Sequence, residues 1–528
     1  MIRDLDTLDE GSAELHRPGA VVVVGAGAAG LALATALEDA GRDVVLVESG
    51  GDPRDQESID GAASLNSGAV TGQGYQGLDQ GRSRVLGGAT QLWHGQCTRM
   101  RESDLAPRDW VAHSGWPLTL DDLGPWYEAA ETWFGLSGRG YDSSRWSEHK
   151  ALSPLPWSQD RLLDDFAEYT SQPHLGDRFR SRLEKSARIT TLVHATVAAV
   201  QTSEDRVIGL ELRDRSGRRR VLTADTVVLA AGAIENARIL MLSDPEGVGV
   251  GTGRQWTGRY LQDHPIVDLL EVSPVRPQWL QDRTSHLYRR RSRIWPKVRI
   301  APGAQEREGL VAANALVVHE YDDLALDAVR RLASALQRRR RPQDAAGDLR
   351  LAVTAVGPTV RTAWRRWVRG LSSGRPASEV RLQVWLEQVP DPDSRVTLDT
   401  ATDRFGLRRP HVDWRISDTE IRTSRTMAAW VAHDLETAGI ATTRALPAMT
   451  DDAAWRAAVT DAFHPAGTTR MSIAPGEGVV SRDLEVHGVR GLHVSGASVF
   501  PIAGYANPTL TIVALSLRLA DHLAGPGA

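Results

Sequence analysis

The sequence predicts an α/β fold, and three of its segments carry that expectation. In AVVVVGAGAAGLALATALEDAGRDVVLVESGG, Val21–Val24 reads as a buried strand, 28–40 as the helix after it and Val44–Val47 as a second strand. In DTVVLAAGAIENARILM, residues 225–241, an apolar strand stops at Ala230-Ala231-Gly232. A further strand, Leu492–Ser495, stops at Gly496-Ala497. Small residues at strand ends let a ligand approach the backbone, which in a doubly wound sheet happens at the carboxyl ends of the strands.

The turn of the first unit is Gly25-x-Gly27-x-x-Gly30. Its first glycine suits a tight turn, the second lets the backbone approach a pyrophosphate, and the third allows close packing of the helix. The phosphates then lie on a helix N-terminus. Glu48, at the end of the second strand, is placed to accept hydrogen bonds from ribose hydroxyls, and its charge disfavours a 2′-phosphate there. Strand, glycine turn, helix and acid together make a Rossmann-like dinucleotide-binding unit. A glycine-rich turn with no ligand is the alternative.

With 528 residues, 41% of them hydrophobic, the chain can bury a large core and is long enough for two or more domains. A net charge of −5 argues against nucleic acid as a partner. Lys150, Lys185 and Lys297 are the only lysines. The single cysteine, Cys97, excludes an intrachain disulfide and a cysteine-rich zinc site, and no metal site is expected. The first residues are polar and acidic, and no stretch of 18 apolar residues occurs, so a cytoplasmic protein without a membrane span is expected.

Further motifs widen the picture. They are Arg84-Val-Leu-Gly87-Gly88-Ala-Thr90-Gln-Leu-Trp93-His-Gly95, Val228-Leu-Ala-Ala-Gly232-Ala and Gly258-Arg-Tyr-Leu-Gln-Asp-His264-Pro265. His464-Pro-Ala-Gly467-Thr-Thr-Arg-Met471 and Gly504-Tyr-Ala-Asn507-Pro508-Thr509 follow. With the N-terminal glycines and Glu48, the chain resembles the glucose-methanol-choline (GMC) family of flavoenzymes over nearly its whole length. Glu387-Gln-Val-Pro-Asp-Pro-Asp-Ser-Arg-Val-Thr-Leu398 and the final pair of motifs look most like its bacterial pyranose and glycoside oxidase branch.

The resemblance implies an FAD lying across a Rossmann-like domain, beside an α+β substrate domain with a mostly antiparallel sheet. The expected cofactor domain is discontinuous, 18–100, 187–268 and 461–528, and the substrate domain takes 101–186 and 269–460. Ala231, Gly232, Gly496 and Ala497 would approach the cofactor, and Val197 matches the adenine-side valine. Gly87 and Gly88, with Gln91, Trp93 and His94 of the same loop, would run along the flavin edge. Leu92 stands where the pyranose oxidase pattern has a tethering histidine, so non-covalent FAD is expected.

Alcohol oxidation needs a base for the hydroxyl proton while the carbon-bound hydrogen leaves as hydride to flavin N5, and a histidine suits that task. His464 matches the family's catalytic histidine and Asn507 its partner, which would hold the substrate oxygen. Asn507-Pro508 reads equally as N-cap and first residue of the following helix, whose Thr509 amide would face flavin N1. His94 either touches flavin or substrate or is turned away. His264 is assigned mainly to structure.

Glu387 and Gln388 are the candidate substrate contacts, at the end of strand RLQVWLEQV. Six tryptophans between Trp110 and Trp157 read as core rather than as a sugar platform. An arginine-rich helical insertion at 322–376 reads as a solvated brace in preference to a lid or membrane-surface element. The substrate implied is a small polar alcohol, a sugar or glycoside, with oxygen or another electron acceptor. A lyase or decarboxylating flavoenzyme on the same scaffold is the alternative.

Overall fold

A computed structural model describes residues 1–149, 152–289, 292–321, 328, 344–354, 361, 364–372 and 377–525. The arginine run 338–341 and most of the expected insertion 322–376 lie outside the described residues. Within that insertion the described parts include helix Ala345–Thr354 and a π-helical turn, Arg365–Arg369.

Six strands form a wholly parallel sheet in the order Ile2–Asp4, Ile189–Val193, Val44–Val47, Val21–Val24, Thr226–Leu229, Leu492–Val494. Its central strands are valine runs buried on both faces, which is what a parallel sheet covered by helices on each side requires. Helix Ala28–Asp39 follows the first valine strand and packs against the C-terminal helix Thr509–Ala524. The expected strands and the first helix are present within a residue or two. Strand Ile2–Asp4, ahead of residue 18, joins the same sheet.

The second large sheet is antiparallel throughout. Its order is Ala441–Ala445, Ile266–Pro274, Glu379–Leu386, Ala313–Glu320, Ser292–Ile300, Leu162–Tyr169, Gln96–Cys97, with Leu287–Arg289 paired to Ser292–Ile300. Strand Glu379–Leu386 alternates: Val380, Leu382, Val384 and Leu386 are buried, and Glu379, Arg381, Gln383 and Trp385 take the other face. The buried face packs on helix Asp418–Thr437, which starts with a capping box between Ser417 and Glu420. Two large cores result, one around each large sheet, with a smaller cluster of Trp146, Phe166, Leu287, Ile294 and Leu371 among the described residues. Two smaller three-stranded sheets complete the fold. Among the described residues no helix is long and apolar enough to cross a membrane.

The six tryptophans from Trp110 to Trp157 are core, as expected. Trp116, Trp146 and Trp157 are buried, and Trp110, Trp126 and Trp133 pack partly buried against the first core.

One tight point of the parallel sheet is its glycine turn. A Cβ on Gly30 would sit 1.8 Å from the Gly25 carbonyl oxygen, and one on Gly25, at φ +100°, would meet the Ala230 carbonyl oxygen at 2.6 Å. Both neighbours are backbone and cannot swing away. Gly30→Ala is therefore expected to lower unfolding free energy by about 3 kcal/mol or more, read by urea denaturation. A loss under 1 kcal/mol would mean that helix and strand separate more easily than this packing implies.

Candidate active site

A cavity of about 860 Å³ runs along the carboxyl edge of the parallel sheet and reaches the open face of the antiparallel sheet. Its sheet side is built from strand ends. Gly25, Glu48, Ala231, Gly232, Gly496 and Ala497 all line it, although they come from four separate strands. A Cβ on Gly27 or on Gly232 would meet nothing within 4 Å, so these glycines leave open cavity space where a side chain would stand. Gly88, at φ +56°, brings the 87–91 turn against Gly27: its Cβ would be 2.9 Å from the Gly27 Cα. Val197 lines the same end.

Two cations that the motif reading passed over also line this wall. Arg82 and Arg84 both donate to Glu235 Oε2, at 3.1 and 2.7 Å, and Arg238 donates to its Oε1 at 2.8 Å. Although burial works against its charge, Glu235 is held well below the usual carboxylate range by Arg84, Arg238 and Arg82. Two arginines beside an open glycine turn suit a pyrophosphate. Glu48, expected to accept from ribose hydroxyls, accepts from the backbone N–H of Ala26 and Gly50, each at 2.9 Å, and so braces the glycine turn. The groups present therefore fit an extended dinucleotide such as FAD.

The other end of the cavity gathers His464, Asn507, His94, Gln96, Gln383 and Trp385. Asn507 Oδ1 accepts from Gln96 Nε2, and Gln96 Oε1 in turn accepts from Tyr169 Oη at 2.9 Å. With one lone pair of its oxygen engaged by Gln96, Asn507 keeps its N–H donors to offer the cavity. Its side chain makes no cap: helix Thr509–Ala524 is entered through Pro508 in the αR region, with no side-chain cap hydrogen bond. The expected Asn507 cap is thus corrected, because Gln96 competes for the capping oxygen. Thr509, at the helix start, lines the cavity.

His464 is brought in by an interrupted antiparallel pairing. Gln262 exchanges backbone hydrogen bonds with Ala466, and Ile266 does so with Thr460. Between these bridges His264 and His464 face each other, with Nδ1 atoms 3.0 Å apart. The His464 backbone N–H donates to both oxygens of Asp263, at 3.0 and 2.9 Å, and that of His264 donates to Asp263 Oδ1 at 2.7 Å. Phe463, just before the histidine, has φ +60°, a conformation rare for a bulky residue and common near functional sites. Burial, then His264 and the Lys297 charge, push the His464 pKa well below the ordinary value.

Glu387 and Gln388 do not line the cavity, and their expected role as substrate contacts is corrected. Glu387 is fully buried and accepts both ends of the Arg108 guanidinium, at 2.8 and 2.7 Å, together with the Ala312 N–H at 2.9 Å. Gln388 Oε1 accepts from the Asp263 N–H at 2.9 Å and from Trp414 Nε1 at 2.8 Å. The strand has ended at Leu386 by then, and its cavity face is spent on Gln383 and Trp385. Gly30, Gly87 and Gln91 stand behind the wall rather than on it. Gln91 folds back so that a Gly87 Cβ would meet its Nε2 at 2.4 Å. Trp93 lines the cavity while its Nε1 donates to the Pro173 carbonyl at 2.7 Å. Leu92 and His94 are exposed at the same wall.

Comparison with known proteins agrees with this architecture. Residues 20–362 match the FAD dependent oxidoreductase family and residues 390–516 the GMC oxidoreductase family. The 6'''-hydroxyparomomycin C oxidase of Streptomyces lividus is 25% identical, over 98% of this chain and 94% of that one. The C-glycoside 3-oxidase of Microbacterium trichothecenolyticum is 32% identical over 28% of each chain. A crystal structure of formate oxidase has the same fold, with a TM-score of 0.57 at 18% identity, covering 95% of this chain and 97% of that one.

The two corrected residues yield a direct test. Glu387→Ala strands a buried guanidinium and is expected to cost about 3–5 kcal/mol of stability in urea unfolding. Whatever protein folds should keep its KM, whereas Gln383→Ala should raise KM with little loss of stability. The reverse pattern would restore Glu387 to the substrate site.

Proposed function

Because the chain belongs to the GMC family of FAD-dependent oxidoreductases, which act on CH–OH groups, we propose that it oxidises one hydroxyl-bearing carbon of a neutral sugar or glycoside. The observation that carries this reading is the pairing, in one cavity, of a histidine whose pKa burial pushes well below the ordinary value with an asparagine whose N–H groups are available to donate. Bound FAD supplies the acceptor for the hydrogen on the carbinol carbon. His464 takes the hydroxyl proton through the ring nitrogen not engaged by His264. Asn507 donates to the substrate oxygen, which fixes the carbon's position before reaction and removes most of the orientational entropy still to be lost. His94, exposed on the wall beside Leu92, contacts bound substrate or cofactor.

Three features support a neutral substrate. Trp385 offers an apolar face suited to a pyranose ring, and Gln383 and Gln96, each bonded once at the amide nitrogen and once at the oxygen, keep a second hydrogen and lone pair that can pair with hydroxyls. Lys297 lies 5.6 Å from the Trp385 ring centre, so a cation sits close behind that wall. Asp461, the one carboxylate at this end, accepts the Gln76 N–H at 2.8 Å, and a Gly77 Cβ would meet its other oxygen at 2.9 Å. Its charge is directed at the 76–77 backbone, away from a substrate ammonium. The family names found are oxidases and dehydrogenases, which gives no support to a lyase reading.

FAD binds without a covalent tether on this reading, since Leu92 cannot form one. Acid precipitation should leave the yellow colour in the supernatant, and colour retained in the pellet would overturn this.

The substrate is tested by anaerobic titration of the flavin absorbance with free sugars, neutral glycosides, paromomycin and simple alcohols, followed by air. Bleaching by a neutral glycoside, at least tenfold more efficient than by paromomycin and lost in His464→Ala, is the expected result. Fast return of colour in air identifies an oxidase. Preference for paromomycin would refute the neutral-substrate reading, and bleaching retained in His464→Ala would remove the base.

A further inference from the structure

The sequence treated His264 as a structural marker, yet its ring is the direct partner of His464. The two Nδ1 atoms are 3.0 Å apart and the rings meet edge to face, with centres 5.1 Å apart and planes at 78°. His264 is 1% exposed, and His464 is half-buried at the cavity. Two imidazoles joined through like nitrogens can share only one proton. One ring donates and the other accepts, so each fixes the tautomer of its neighbour.

The choice decides what His464 can do. If His264 donates, the His464 proton moves to Nε2, and the cavity meets an N–H donor where a base is needed. If His464 donates from Nδ1, its Nε2 carries a lone pair toward the cavity. We propose that His264 is the positioning residue of the base: it accepts the Nδ1 proton of His464 and thereby keeps Nε2 free to take a substrate proton. This rests on the reading of His464 as base.

Two observations favour that direction, and a third keeps both rings neutral. The backbone of Ala503 and Gly504 acts on the His264 ring in favour of a proton, and the only nitrogen left for it is Nε2. That Nε2 has no hydrogen-bond donor in position to bond it, so nothing there competes with a proton on it. The neighbouring charge opposes a second proton on either ring. Lys297, buried on strand Ser292–Ile300 and itself lowered to about 8, disfavours a cation at both His264 and His464. The Asp263 carboxylate, with Asp461 and Tyr75 beside it, spends its oxygens on backbone N–H groups and the tyrosine hydroxyl rather than on either ring.

The arrangement has the logic of a base held by a third group, with an imidazole in place of a carboxylate. A carboxylate would raise the pKa of the base. A neutral imidazole fixes the tautomer and leaves that pKa low.

The test uses FAD-loaded enzyme labelled with 15N-histidine, with His464 identified by the signals lost in His464→Ala. Wild type should show a protonated Nδ1 and a bare Nε2 at His464 at pH 7.5, without any substrate. His264→Phe, which keeps ring size but accepts no hydrogen bond, should shift His464 toward the Nε2-protonated form. It should also lower kcat at least tenfold on the glycoside that best bleaches the flavin, with KM changed less than threefold. His264→Asn puts an amide oxygen at the place of Nδ1, and should restore the tautomer and most of kcat. An Nε2-protonated His464 in wild type overturns the proposal whatever the substrate proves to be. Equal tautomers or equal kcat in the Phe and Asn variants also overturn it.

Discussion

The buried carboxylate of Asp263 is the constraint on which the reactive end of this molecule depends. It is fully inaccessible, and an ionised carboxylate in such a place is costly unless its lone pairs are met. Here they are met by the N–H groups of His264, Ala462 and His464 and by Tyr75 Oη at 2.8 Å. Two of those N–H groups belong to the histidines that face each other, so one anion sets the spacing of both backbones. Burial and the neighbouring Asp461 push the Asp263 pKa up, and the donors work against that. Gln388, fully buried, completes the arrangement by accepting the N–H of Asp263 itself.

Around this anchor the antiparallel sheet does two jobs with one alternation. Along Glu379–Leu386 the even positions build the core under helix Asp418–Thr437, and of the odd ones Gln383 and Trp385 line the cavity. A slip of one residue would exchange the two sets and destroy both core and site, so fold and substrate surface are selected together. The ion pair of Arg108 with Glu387 lies past the end of that strand. It ties the segment after residue 100 to the sheet.

The nucleotide side works by withholding side chains. Gly27 and Gly232 leave open space, Gly25 and Gly30 allow backbones to touch, and Arg82 and Arg84 supply charge from a loop distant in sequence. Glu235 keeps those arginines in place with two short ion pairs and adds a third to Arg238. The cavity is continuous from this wall to His464, so one space can hold both a dinucleotide and a small alcohol.

The sequence by itself determined the parallel sheet, its glycine turn, the small residues at its strand ends and the candidacy of His464 and Asn507. These are legible because each is a local pattern: a valine run, a fixed glycine spacing, a strand stopping at Ala-Gly, a family motif. What only the tertiary structure decided is which side chains those patterns bring together. His264 and His464 are 200 residues apart, and their contact arises from bridges between 262–266 and 460–466 that no local signal announces. Glu387 and Gln388 looked like site residues because they end the right strand, but where a strand stops, and whether an arginine waits beyond it, is settled by packing. Asn507 had a good capping sequence, and Gln96, 411 residues away, took the oxygen the cap would have used. Local physics writes the elements; competition among distant partners for each polar atom decides the site.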